Sequence, residues 1–266
     1  MKIVTKLPKV SVIIVNFNNA IYLNQSIDSI LGQNYKNIEI IVVDNKSTDN
    51  SLYKLKKYKN KIIVLKNIKK SNQGSYNQIN SYYKGYLKSK GEYIFFLDSD
   101  DYYKKNKIKL IINQFLKEKN IKLIFDLPIF KYKKNLKKEK FKQKFFVLSN
   151  WPRFSPQSCI SIKRKYCSEI FNKVKINKFE SIWFDFRIAS YHYLKNGQIH
   201  VLKKYLTYYR QLDESASKNY KLFSKNWWYR RNQAHDFIAY FSNKLNILNR
   251  ITLDKIITKV AFFFLK

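Results

Sequence analysis

The sequence predicts an α/β protein: a mostly parallel central sheet flanked by helices, with a helical C-terminal extension. Three observations carry that prediction. Four short, mostly apolar runs stand at 10–15, 38–43, 62–65 and 93–97, and the last lacks polar alternation, as a strand buried on both faces requires. Helical patterns stand between them, the order of βαβ units with right-handed crossovers. Acids follow two of the runs, Asp44 after one and Asp98, Asp100 and Asp101 after another. The carboxyl edge of an open α/β sheet is where ligands bind.

In chain order, Val10 to Val15 forms the first strand, and Asn16-Phe17-Asn18-Asn19 closes it with turn and capping residues. A helix follows with Leu23, Ile27, Ile30 and Leu31 inward and Gly32 as its stop. Ile38 to Val43 is the second strand, ending on Asp44-Asn45, and Ser47-Thr48-Asp49 caps a short helix carrying Leu52 and Leu55. Ile62 to Leu65 is the third. After Asn72-Gln73-Gly74, a helix places Tyr76, Ile79, Tyr83, Tyr86 and Leu87 on one side. Tyr93 to Leu97 is the fourth strand, and the next helix turns Ile108, Ile111, Ile112, Phe115 and Leu116 inward. Beyond residue 120 the pattern predicts strands at 121–130, 143–148 and 158–162. Helices are expected at 165–172 and 180–194, an extended segment at 199–210 and a long helix at 223–248.

The charge balance is lopsided: 53 Lys plus Arg against 18 Asp plus Glu, a formal net charge of +35. Such a chain suits polyanionic partners: nucleic acid, anionic lipid or phosphorylated substrates. The lysines are scattered through every segment rather than gathered in one tail. Against that background three acids crowd into Asp98-Ser99-Asp100-Asp101. One reading is a helix N-cap, since Asp and Ser cap well. The other is a divalent cation, which would relieve repulsion between the carboxylates and bind phosphates. No glycine-rich phosphate loop is present, which leaves more of the phosphate charge to a metal.

Two cysteines, Cys159 and Cys167, give neither a metal spacing nor a disulfide framework. The three histidines, His192, His200 and His235, are assigned to no metal. No signal-like segment and no apolar run of membrane-span length is present, so a cytoplasmic location is expected. Leu253, Ile256, Ile257, Val260 and Phe264 share one helical face, and Phe262-Phe263-Phe264-Leu265 adds apolar bulk. Segment 251–266 is accordingly read as a contact with the inner face of a membrane, against the alternative of a terminal helix docked on its own domain.

Four segments together identify a resemblance. They are Val10 to Asn19, Ile40 to Asp49, Asn72-Gln73-Gly74 with Asn80, and Gly91 to Asp101. In this order and spacing they resemble the family 2 glycosyltransferases of the GT-A fold, closely over the first half of the chain and loosely beyond. The resemblance implies one domain at 1–215, with a nucleotide-binding half at 1–120 and an acceptor half at 121–215, and an extension at 216–266. It implies a nucleotide-sugar donor, commonly a UDP-sugar, a Mg²⁺ or Mn²⁺ cofactor, and a glycan or lipid-linked acceptor in cell-surface polysaccharide synthesis.

Residue by residue, the resemblance puts Asn16, Phe17 and Asn18 at the nucleotide base, with Phe17 keeping the stacking face but lacking the hydroxyl of the usual Tyr. Asp44 matches the acid that accepts a hydrogen bond from the base, and Asn72 and Gly74 match a loop beside the nucleotide. Asp98 and Asp100 match the D-x-D pair, Asp98 near ribose or metal and Asp100 the direct metal ligand on the diphosphate, with Ser99 between them on the nucleotide side; Asp101 is expected to cap the next helix. Ile79 stands where the family often has Arg. Asp185, within Trp183-Phe184-Asp185-Phe186-Arg187, matches the base of inverting members, with Glu180 as the fallback and an Asp185–Arg187 ion pair as the structural alternative. Arg210 matches a residue near the leaving diphosphate. A basic nucleic-acid-binding protein is the rival class, supported by charge and 17% aromatics but by no recognised motif; specific nucleic acid binding is not expected.

Overall fold

A computed structural model describes residues 7–67, 74–138, 140, 148–212 and 220–265. The first half alternates as expected: β1 (Val10–Asn16), α1 (Ala20–Leu31), β2 (Ile38–Asp44), α2 (Ser51–Lys56), β3 (Ile63–Lys66), α3 (Gly74–Lys88), β4 (Tyr93–Asp98). Then follow β5 (Tyr102–Tyr103), α4 (Lys107–Lys117), β6 (Leu123–Lys131), β7 (Leu136–Lys138), β8 (Ile160–Lys163), α5 (Arg164–Val174), α6 (Phe184–Asn196), β9 (Val201–Arg210), α7 (Lys225–Lys244) and α8 (Leu253–Phe264). The strand expected at 143–148 falls, but for Leu148, outside the described residues, as does Asn72.

One sheet has the order β3-β2-β1-β4-β8-β6-β9-β5, with β7 beside β6. Strands β1 to β4 pair in parallel; β8 enters antiparallel between β4 and β6, and β6 pairs in parallel with β9. Side-chain alternation divides the apolar runs between two cores. Ile94 and Phe96 of β4 face one, built with α3, α5, α6 and α7. Tyr93, Phe95 and Leu97 face the other, with α1 and α4. Helix α7 belongs to the first core through Ala234, Phe237, Ile238 and Phe241. Helix α3 lies so close to the sheet that a Cβ at Gly85 would meet Ile13 Cγ2 at 2.4 Å and Val43 Cγ2 at 3.2 Å.

Several local expectations are corrected. Leu31, Leu87 and Leu116 are exposed rather than inward, and on α3 it is Tyr82 that is fully buried. Gly32 ends α1 at φ −84°, so no left-handed cap operates there. Asn19 holds the N-cap position of α1 but makes no side-chain cap bond; Asp49 supplies one from outside, accepting from Ala20 N at 2.8 Å as well as from Ser51 N at 3.0 Å at the start of α2. Helix α6 starts at Phe184, leaving Glu180 in the turn before it.

Candidate active site

Parallel register brings three polar residues to one level of the sheet edge. Asn16 pairs with Asp44 across β1 and β2, and Val15 with Asp98 across β1 and β4. Beside β1, the loop ends interlock. Asp44, buried, accepts from Asn16 Nδ2 at 2.8 Å and from Ser47 N at 3.0 Å. Asn18, at φ 51°, accepts from Thr48 N at 2.8 Å, and its own N–H donates to Ser47 Oγ at 3.0 Å. Asparagine tolerates that left-handed backbone better than most side chains. Asn16 Oδ1 is buried with no hydrogen bond in the protein, an acceptor left for a ligand donor. Phe17 projects from the same loop, 41% exposed, with a ring face suited to stacking on a base.

At the end of β4 the acids gather. Asp98, Asp100 and Asp101 bring carboxylate oxygens within 4.8 Å of one another. Asp98 is held from two sides: Tyr82 OH donates at 2.6 Å and Gln78 Nε2 at 3.0 Å from α3, and Gln157 Nε2 donates from before β8. Gln78 and Tyr82 are one helical turn apart and so share a face. Asp101 does not cap α4. Its Oδ2 accepts from Ser158 Oγ at 2.6 Å and its Oδ1 from Arg210 N at 2.8 Å, because β5 intervenes and turns the chain before the helix begins. Ser99 is fully buried behind the acids, its Oγ accepting from Asn19 Nδ2 at 3.1 Å. Asp100 is thus the member of the trio least committed to protein partners.

Electrostatics follow from this crowding. Burial and then the charge of Asp98 push the Asp100 carboxyl up to about 7. Burial and the charges of Asp100 and Asp98 push Asp101 well above the carboxylate range. Burial also raises Asp98, against the pull of its three hydrogen-bond donors. Beneath the cluster a buried ion pair braces the loop. Lys107 Nζ lies 2.7 Å from Asp126 Oδ1 and donates to Ser158 O at 2.8 Å, and Ser158 Oγ in turn accepts from Asp98 N at 3.0 Å.

Asp185, buried at the start of α6, feels the charge of the cluster. Burial and then the charge of Asp98 raise its carboxyl to about 7, while Arg230 of α7 pulls the other way. The Arg230 guanidinium lies 5.0 Å over the Trp183 ring and donates to Ser75 Oγ at 3.2 Å, beside Gly74 at the start of α3. The expected alternative, an Asp185–Arg187 pair, does not form. Arg187 is fully buried and donates instead to the carbonyls of Val174, Ile176, Phe179 and Ile182. Glu180 lies on the Arg187 side, where its charge acts on that guanidinium. Arg210 reaches the acids from β9: Nη1 donates to Asp100 O and Nη2 to Gln25 Oε1, with the guanidinium 4.5 Å over the Tyr22 ring. Gln78, Tyr82, Gln157, Ser158, Lys107 and Arg230 were not singled out from sequence. The spacing of Gln78 and Tyr82 was the one readable signal for any of them.

Residues 11–171 match the family described as glycosyl transferase family 2. The chain belongs to that family. It is 30% identical over 229 residues to the poly(ribitol-phosphate) β-N-acetylglucosaminyltransferase TarP of Staphylococcus aureus, covering 82% of this chain and 67% of that one. It is 39% identical over 108 residues to a glycosyltransferase of Nostoc, and there it spans 33% of the relative's length. Among solved structures, S. aureus TarS 1–349 in complex with UDP-GlcNAc superposes with a TM-score of 0.63 at 19% identity, over 89% of this chain and 70% of that one. A Pyrobaculum calidifontis mannosyltransferase in complex with GDP-mannose and Mn²⁺ gives 0.59 at 11% identity, over 97% and 74%. These likenesses bear out the GT-A-like α/β fold, a mostly parallel sheet flanked by helices.

Proposed function

We propose that this family 2 glycosyltransferase moves a sugar from a nucleoside diphosphate sugar, a UDP-sugar foremost, to a hydroxyl of a glycan or lipid-linked acceptor, with inversion at the anomeric carbon. The observation that supports it is the convergence of two acid groups on one sheet edge, Asp44 at the end of β2 and the Asp98–Asp101 cluster at the end of β4, with the buried Asp185 at the start of α6 feeling the charge of Asp98. The base and ribose would lie over Asn16, Phe17, Asn18, Asp44 and Ser99, with Gly74 beside them and Asp98 toward the ribose. Asp185 takes the acceptor proton as the hydroxyl oxygen bonds to the anomeric carbon and the bond from that carbon to the diphosphate oxygen breaks. The trio of hard oxygen donors fits Mg²⁺ or Mn²⁺, with Asp100 the direct ligand and Asp98 the neighbour that shares its charge. When bound, such an ion supplies positive charge for the departing diphosphate. Arg210, by fixing the Asp100 carbonyl, aims that residue and adds positive charge beside the leaving group.

TarP is named for transfer of N-acetylglucosamine to poly(ribitol-phosphate), which supports a polymeric acceptor in cell-surface polysaccharide synthesis here. A lipid-linked acceptor would bring 251–266 to a membrane surface. The deciding experiment is a thermal-shift panel of UDP-, GDP- and dTDP-sugars with and without Mn²⁺, followed by product analysis with the sugar that binds. A Mn²⁺-dependent rise in melting temperature with one donor class is expected, since ligands of the native state stabilise it. No shift with any donor would overturn the proposal.

A further inference from the structure

Helix α8 is docked with its polar side inward. Asp254 accepts from Ser149 Oγ at 2.9 Å, pairs with Arg231 and lies 3.5 Å from His235 Nε2. Thr258 is fully buried, and Lys259 Nζ sits 2.6 Å from Asp236 of α7. Although burial pushes the Asp254 carboxyl up, bonds from His235 and Ser149 and the charge of Arg231 hold it at about 2. The opposite face is apolar and open: Leu253, Ile256, Ile257 and Val260 are about half exposed, and Phe263 and Phe264 are 75% and 80% exposed. Leu248 and Ile251, just before the helix, are 79% and 77% exposed. A surface helix ordinarily buries its apolar stripe and shows its charges, and this one does the reverse.

We propose that the apolar face of α8, with Leu248 and Ile251, seats in the headgroup–acyl boundary of an anionic membrane. Charge selects that occupant over a second copy of the chain. Asp236 and Asp254 are the acids between residues 225 and 265, and both are neutralised within the protein, by Lys259 and Arg231. Arg250 adjoins Ile251 in sequence at the start of the open face. Two copies carrying a formal +35 each would repel across it, whereas anionic lipid offers the opposite sign. At 12 residues the helix is about 18 Å long, suited to lying in the interface rather than crossing it. Among the described residues no helix is long and apolar enough to cross a membrane. Helix α7, on which α8 rests, also presents Arg230 to Trp183 and Asp185, so the membrane would lie one helix away from the acceptor side of the cleft. That last link rests on the proposed function; the membrane contact does not.

The test is sedimentation of the full chain with vesicles of phosphatidylglycerol or of phosphatidylcholine, without any donor, beside the variant Phe263→Ser/Phe264→Ser. Wild type is expected to bind phosphatidylglycerol at least 10-fold more tightly than phosphatidylcholine, and the variant to lose 10-fold or more. Both replaced side chains are exposed, so melting temperature and nucleotide-sugar binding should be unchanged in the variant. Equal vesicle binding by variant and wild type would reduce the contact to charge alone and overturn the proposal. So would absence of vesicle binding, or a dimer in light scattering that the variant abolishes. None of these results would touch donor binding, and failure of every donor in the thermal-shift panel would leave vesicle binding standing.

Discussion

Two corners of one sheet edge face the same cleft and are built on opposite principles. At the end of β1 and β2, polar groups are paired: Asp44 with Asn16 and Ser47, Asn18 with Thr48. At the end of β4, like charges are pressed together, Asp100 up to about 7 and Asp101 higher still. The first corner holds its loops by these bonds and leaves one buried acceptor, Asn16 Oδ1, without a hydrogen bond among the described residues. The second is electrostatically unfinished, held in place by Tyr82, Gln157, Ser158 and the Lys107–Asp126 pair until a counter-charge arrives. Under the proposed function, recognition would fall to the paired corner and reactivity to the crowded one.

The contrast is broken most severely at Asp100. Asp100→Ala should reduce transfer by about 10³-fold or more in a radiolabelled-sugar assay, the scale of removing a preorganised electrostatic contributor. Asp100→Asn should do the same to activity, yet raise the stability of the cation-free chain by about 1–2 kcal/mol at pH 8 in urea titrations, by relieving like-charge repulsion. Because carboxyls raised above their unfolded values hold protons better in the native state, the cation-free wild type should lose stability as pH climbs from about 4 to about 7. A metal-free chain that gains stability across that window would contradict the picture.

Next in size is Asp185→Asn, expected to lower kcat by about 10²–10⁴-fold with little change in donor affinity. Wild-type kcat/KM should rise with pH through about 7 as Asp185 ionises, and the variant should lose that limb. Lys107→Met would leave Asp126 buried and unpaired, at a loss of about 3–5 kcal/mol in urea unfolding. Smallest is Asp44→Ala, which strands the Ser47 N–H and one bond of Asn16. A loss of about 1–3 kcal/mol is expected, with donor affinity falling more than kcat in isothermal titration; a pure kcat effect would place Asp44 in the wrong corner.

Much of this was legible before any coordinates, for a physical reason. Strands buried on both faces advertise themselves as apolar runs with at most one polar interruption, Ser11 in β1 and Glu39 in β2, so β1, β2 and β4 and the acids ending β2 and β4 could be read directly. Helix phase was harder where apolar or aromatic residues adjoin. Tyr82 and Tyr83 are consecutive, and the sequence does not say which one meets the sheet, so the partner of Asp98 was missed. Asp101 was misread because the groups that bind it, Ser158 Oγ and Arg210 N, lie 57 and 109 residues away. For α8 the apolar stripe was visible but not its direction, since that depends on Arg231 and Ser149 waiting to receive Asp254.

The bond from the Arg210 amide to Asp101 also sets an order of assembly. It joins the last residue of β9 to the loop after β4, a contact whose loop closure is slow compared with the local βαβ pairings. As the chain leaves the ribosome, the paired corner at β1 and β2 has all its members within the first fifty residues. The acid loop must wait for residue 210. The loop that carries the three acids therefore reaches its final hydrogen bonding only after residue 210 has been made, long after the residues of the paired corner.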